Sequence, residues 1–159
     1  MVRAMTENLW APWRMDYILS NKDGACVFCD AQDDLLLTRE AHAFICLNKY
    51  PFAAGHLLVV PTKHVNDLAA LDEGESDALF RLVRKATAGL RKALAPGGIN
   101  VGINLGRAAG AGIAEHLHVH VVPRWNGDTN FLPIVADVRV MPEYLAQTRE
   151  RLLPHFAVP

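Results

Sequence analysis

The chain has 159 residues, enough for one domain with a sizeable core. Its residues are 51% hydrophobic and 21% charged, with a formal net charge of −1, so a soluble globular protein is expected. Bulk nucleic-acid binding, which needs a strongly basic surface, is excluded, and so is a membrane span of roughly 20 apolar residues.

Residues 1–24 are expected to form an irregular arm, with Trp10, Pro12, Trp13 and Tyr17 offering large apolar faces for packing or for a dimer seam. The opening MVRAMTENLWAPWR has no signal-peptide core. Cys26 and Cys29 follow as a CxxC. With Cys46 they suit a reducing compartment better than a disulfide framework, so a cytoplasmic location is expected. A lone CxxC fits a redox pair or half of a zinc site, which needs two more ligands elsewhere.

Residues 35–39, 43–48 and 56–61 are predicted strands, the last two joined by KYPFAAG, where Pro51 and Gly55 punctuate a loop. Residues 73–94 are a predicted helix with Leu79, Leu82, Val83, Ala86, Leu90 and Ala93 on one apolar stripe. Asp72 and Glu75 are placed as a capping box, and Pro96-Gly97-Gly98 stops the helix. Strands are predicted over 100–104 and 116–122. Between them lies GRAAGAGIA (106–114), small enough for backbone N–H groups to approach phosphate oxygens. A short helix over 142–153 closes the chain. One long helix among five short strands with hairpins predicts an α+β fold with an antiparallel sheet.

The most informative run is EHLHVHVVPRW. It puts His116, His118 and His120 at alternate positions, three of the chain's seven histidines within five residues. On a strand, all three rings point to one face and the aliphatics to the other. Histidine is the side chain best suited to exchange a proton or attack an electrophile near neutral pH, and a core has no use for a row of three. A metal held by all three is disfavoured, because His116 and His120 would lie roughly 13 Å apart along a straight strand. An imidazole attacks well when its ring is fixed and its other nitrogen donates to a backbone carbonyl.

HLHVHVV, His116 to Val122, matches the pattern H-φ-H-φ-H-φ-φ (φ apolar) at all seven positions and resembles the histidine triad (HIT) family. FICLNKYPFAAGHLLVVPTKHV (44–65) is similar to the strand–loop–strand half of the HIT nucleotide pocket, and GINLGRAAGAGIAEH (102–116) to its phosphate loop. The resemblance covers about Cys26 to Trp125. NLWAPWRMDYI and VVPRWNGDTNF narrow it to the diadenosine tetraphosphate phosphorylase/hydrolase branch. It implies one HIT domain over 1–159: the arm 1–24, a core 26–125 and an extension 126–159 carrying the short helix. It also implies a homodimer whose two five-stranded sheets join into ten strands.

By the same resemblance, His118 attacks an α-phosphorus to form a nucleotidyl-histidine, and His120 contacts the leaving-group or α-phosphate oxygens. Asn48 holds the ribose hydroxyls, and His56 takes the family's GH position beside the catalytic strand. Asn104 and the loop residues Gly112, Ile113 and Ala114 meet the phosphates, with Arg107 as an added contact. Phe44, Cys46 and Leu57 wall the base. Cys26, Cys29, His64 and His116 bind one structural zinc. GAGIAEH stands where GGSLAEH is expected in actinobacterial phosphorylase-like sequences, so Gly112 replaces a hydroxyl. Cleavage of a dinucleoside polyphosphate, resolved by phosphate or water, is the expected activity. A purine nucleoside phosphoramidase and a nucleotide-binding interaction module are the alternatives. His42 and His155 match no role and are expected to face solvent.

Overall fold

The computed structural model of the chain describes residues 26–30, 34–128 and 143–156. The arm 1–24, with its tryptophans, and Pro142 at the expected start of the last helix lie outside the described residues.

Five strands, β1 (Leu36–Arg39), β2 (Ala43–Leu47), β3 (Leu57–Pro61), β4 (Gly98–Ile103) and β5 (Val119–Arg124), form one sheet in the order β1-β2-β3-β5-β4. Every neighbouring pair is antiparallel. Helix α1 (Glu73–Leu94) carries the chain from β3 to the far edge, where β4 lies, and β5 returns between β3 and β4.

Helix α1 has the predicted bounds because both ends are encoded locally. Asp72 Oδ1 accepts from Glu75 N–H at 2.8 Å, and Glu75 Oε2 accepts from Asp72 N–H at 2.9 Å, closing the capping box. At the other end Ala95 takes a left-handed conformation (φ 45°, ψ 51°) before Pro96. The stripe Leu79, Leu82, Val83, Ala86 and Leu90 is buried against Leu37, Ala43, Ile45, Leu47, Leu57, Val59, Val119 and Val121 of the sheet. Burying each leucine or valine of the stripe is worth about 1.5–3 kcal/mol. Helix α2 (Leu145–Leu152) and the 3-10 turn Leu153–His155 deliver Phe156, fully buried, onto α1 at Gly89. His42 and His155 are exposed.

The opposite face of the sheet has a second, smaller cluster of Phe28, Phe44, Cys46, Leu58 and Val60. Strands β2 and β3 are therefore buried along their whole length on both faces. Helix α1 supports one face, and the histidines and the CxxC loop gather on the other.

Candidate active site

Strand β5 starts at Val119, three residues later than predicted, so His116 and His118 sit in the approach to the strand and only His120 lies in it. Pairing with both neighbours stops at Val119, which faces Val59 of β3 on one side and Ile103, the last residue of β4, on the other. Upstream of Val119 other bonds replace the ladder. Leu117 N–H donates to Val65 O at 2.6 Å. His116 Nε2–H donates to Pro61 O and His118 Nδ1–H to His116 O, each at 2.9 Å. The result separates the triad in space. His116 turns to the cysteines, whereas the rings of His118 and His120 are neighbours at 4.9 Å between centroids.

His118 is 5% exposed. Burial pushes its pKa below the ordinary value, with the bond to the His116 carbonyl opposing. With Nδ1–H committed to that carbonyl, the lone pair resides on Nε2, the nitrogen suited to nucleophilic attack. Phe28, between the two cysteines, meets this ring at 5.2 Å between centroids and the ring of His116 edge-on at 5.4 Å. The sequence reading missed Phe28. Its signal was an apolar residue inside the CxxC.

The GH position is built with unusual constraint. Gly55 has φ +79°, and a Cβ there would lie 2.5 Å from Leu94 Cδ1. His56 follows, fully buried and just before β3 rather than within it. Its Nε2 is 3.0 Å from His120 Nδ1. Its Nδ1 faces Phe52 N–H at 3.0 Å and Asn48 Nδ2 at 3.3 Å, while Asn48 Oδ1 accepts from Tyr50 N–H at 2.9 Å. Phe52, also missed by the sequence reading, stacks on both rings, with centroids 4.9 Å from His56 and 6.0 Å from His120.

Phe44 and Cys46 lie on the histidine side of the sheet, with Ile113 of the loop packed against them. Leu57 does not. It belongs to the core under α1, and Leu58, paired with His120, takes its place on the histidine side. The alternation of side chains along β3 dictates this one-residue correction. Burial pushes the Cys46 thiol up to about 12, against the lowering effect of Arg39. The Arg39 guanidinium sits 4.4 Å from the centre of the Phe44 ring.

In the glycine-rich loop, Gly106 (φ +81°) and Gly110 (φ +89°) adopt backbone conformations that L side chains rarely reach, flanking a 3-10 turn at Arg107–Ala109. Asn104, Gly112, Ile113 and Ala114 are half-buried. Arg107 is exposed and held by Glu115 at 2.6 Å. A surface ion pair of this kind is weak enough to exchange for an anionic ligand.

Cys26, Cys29, His64 and His116 form a compact donor set whose ligand atoms all lie within 4.8 Å of one another. Cys26 Sγ to His116 Nδ1 is 3.2 Å, Cys29 Sγ to His64 Nδ1 is 3.3 Å and Cys29 Sγ to His116 Nδ1 is 3.7 Å. Sulfur and nitrogen ligands on a tetrahedral zinc are separated by about 3.6 Å, from bond lengths near 2.3 and 2.05 Å. The His116 Nε2–H bond to Pro61 O turns the Nδ1 lone pair toward the sulfurs, as a metal ligand requires. The four residues fit a zinc ion.

The model of the HIT domain matches residues 30–127. The chain is 38% identical to the AP-4-A phosphorylase of Mycobacterium tuberculosis (strain ATCC 25618 / H37Rv), over 98% of this chain and 87% of that one. It is 36% identical to the asymmetrical bis(5'-nucleosyl)-tetraphosphatase of Schizosaccharomyces pombe, over 57% of this chain and 48% of the relative. The crystal structure of a zinc-bound histidine triad family protein from Mycobacterium smegmatis superposes with a TM-score of 0.67 at 28% identity, over 83% of this chain and 93% of that one. With a triad, a glycine-rich loop and a GH histidine on one face of a five-stranded sheet, the chain belongs to the HIT domain family.

Proposed function

We propose that the chain is a nucleotidyl transferase that cleaves dinucleoside polyphosphates of the diadenosine tetraphosphate type through a covalent nucleotidyl-histidine. The observation that carries this reading is the 2.9 Å bond from His118 Nδ1–H to the His116 carbonyl, which leaves Nε2 as the nucleophile. Similarity over nearly the whole chain to an AP-4-A phosphorylase supports the substrate class.

His118 Nε2 attacks the α-phosphorus, the bond to the polyphosphate leaving group breaks, and the leaving oxygen takes the electron pair. Phosphate or water then attacks the same phosphorus and releases His118. His120 contacts the leaving-group or α-phosphate oxygens. Asn104, the backbone around Gly112, Ile113 and Ala114, and Arg107 hold the phosphate chain, Asn48 the ribose, and Phe44 and Cys46 with Leu58 the base. Zinc on Cys26, Cys29, His64 and His116 has a structural role, tying the CxxC loop to the approach of β5. No helix among the described residues is long and apolar enough to cross a membrane. None of the three cysteines is in a disulfide, which suits a reducing, cytoplasmic setting. Strand β4 is an edge strand with Val101 48% exposed, which supports pairing with a second copy into a homodimer.

Product analysis on diadenosine tetraphosphate tests the reading. Phosphorolysis yields ADP and ATP, and hydrolysis yields AMP and ATP. We expect cleavage stimulated by millimolar phosphate, with hydrolysis as a real competitor. ADP absent at every phosphate concentration would leave a hydrolase, and no cleavage at all would remove the enzyme reading.

A further inference from the structure

Four rings follow one another across the site. Between centroids, Phe28 lies 5.2 Å from His118, His118 lies 4.9 Å from His120, and His120 lies 6.0 Å from Phe52. The two ends of this series differ. Phe28 is 6% exposed and packs with Phe44, Cys46, Leu58 and Val60. Phe52 is 46% exposed, and Tyr50, two residues earlier on the same loop, is 60% exposed. The Phe52 ring lies 30° from the plane of His120 and 32° from that of His56, so one side of it covers the imidazoles and the other side faces out.

A dinucleoside polyphosphate has two bases to place, and the site has two apolar ends. The nucleoside whose α-phosphorus meets His118 takes the buried end, beside Phe28 and Phe44. The leaving group departs on the His120 side and carries the second nucleoside toward the Phe52 end. Exposed aromatic groups close together at the rim of a polar site mark a binding surface. We propose, on the nucleotidyl-transfer reading given above, that Phe52 is the platform on which the base of the leaving nucleotide stacks, and that it makes dinucleoside polyphosphates better substrates than mononucleoside ones.

The platform is in place before a ligand arrives. Asn48 N–H donates to His56 O at 2.9 Å and His56 N–H to Ala53 O at 3.1 Å, closing the loop on itself. Phe52 N–H donates to His56 Nδ1 at 3.0 Å. Little ordering therefore opposes binding. Stacking on an aromatic face is available to every base, because each has a π-face and no hydrogen-bonding edge is read. The second base is thus accepted by its area, and adenine is not told from guanine there. An amine leaving group, as in a phosphoramidate, has no base to offer this surface.

The test compares diadenosine tetraphosphate with adenosine tetraphosphate, which has the same first nucleoside and phosphate chain and lacks the second nucleoside. For the wild-type chain we expect a higher kcat/KM with the dinucleotide. Phe52→Leu keeps an apolar side chain against the imidazoles and removes the aromatic face. It should cut the preference for the dinucleotide by about 5- to 50-fold, chiefly through KM, the loss expected for one base–aromatic stack. Phe52→Trp, with a larger face, should keep or raise the preference. Equal losses for the two substrates in Phe52→Leu would make Phe52 a support for His56 and His120 alone and would overturn the proposal. An unchanged preference would also overturn it. Calorimetry with methylene-bridged, non-cleavable analogues of the two nucleotides separates the platform from the chemistry. If neither nucleotide is cleaved, yet the dinucleotide analogue binds more tightly and loses that advantage in Phe52→Leu, the nucleotidyl-transfer reading fails and the platform stands.

Discussion

The side chain of His118 is held by the backbone of His116: Nδ1 donates to the carbonyl oxygen at 2.9 Å. Because the bond spans two residues of one segment, the chain that positions the proposed nucleophile is the chain that carries it. His116 is itself anchored on Pro61 O and beside two cysteines. The proposed nucleophile thus hangs from the Cys/His cluster by a single peptide carbonyl.

His118→Gly should abolish turnover, by roughly a thousandfold or more, because a nucleophile cannot be replaced by binding contacts alone. Nucleotide affinity should stay within about tenfold, the worth of one lost contact. Steady-state rates and calorimetric titration with a non-cleavable dinucleotide check the two halves. A rate within tenfold of wild type would remove the covalent mechanism.

Protein purified without added zinc should contain about one equivalent per chain, given the tight binding usual for such sites. Chelation, or Cys29→Ser, should lower the melting temperature more than it lowers the rate of protein that stays folded, since the metal ligands stand apart from the reacting phosphorus. Phe28 should be the first group released, because its ring bridges the cluster and His118. Thiol alkylation gives a second reading. Cys46, buried and with its thiol pushed up to about 12, stays protonated and inert near neutral pH, whereas Cys29, exposed, and Cys26, half-buried, become accessible to the reagent once the metal leaves. A Cys26–Cys29 disulfide and no metal in fresh protein would favour the redox alternative.

Gly112→Ser should strengthen the phosphate dependence of cleavage. A serine hydroxyl at this half-buried loop position adds a charge-assisted hydrogen bond of about 1.5–3 kcal/mol, or roughly 10- to 100-fold in phosphate affinity. The ratio of ADP to AMP as phosphate is raised measures it. An unchanged ratio would place phosphate elsewhere, Arg107 being the next residue to test.

Two positions at the end of α1 should invert ordinary helix propensity. Gly→Ala normally stabilises a helix interior by about 1 kcal/mol. At Gly89 the new Cβ would lie 2.5 Å from Cζ of the buried Phe156, so Gly89→Ala should instead destabilise, by about 1–3 kcal/mol. Ala95 is left-handed without being glycine, and Ala95→Gly should stabilise by up to about 1 kcal/mol. Urea denaturation of the two variants checks both signs.

Much of the architecture was legible in the chain because its signals are local. The limits of α1 follow from Asp72, Glu75 and Pro96, all within a few residues of the ends they define. The strands follow from short apolar runs, and the triad is one uninterrupted motif. Tertiary structure decided the rest, through groups far apart in sequence. Resemblance named Cys26, Cys29, His64 and His116 as one set, but only folding brings Cys26 to His116 across 90 residues and Cys29 to His64 across 35, contacts no spacing rule specifies. Leu58 rather than Leu57 faces the histidines because strand phase depends on which sheet face α1 covers. Strand β5 begins at Val119 because its pairing with β3 and β4 stops there, at Val59 and Ile103, and side-chain and loop bonds hold His116 and His118 where a ladder was expected. Phe28 and Phe52 read as ordinary apolar residues along the chain. Only folding sets their rings against the imidazoles, because aromatic contact depends on distance in space and leaves no period in the sequence.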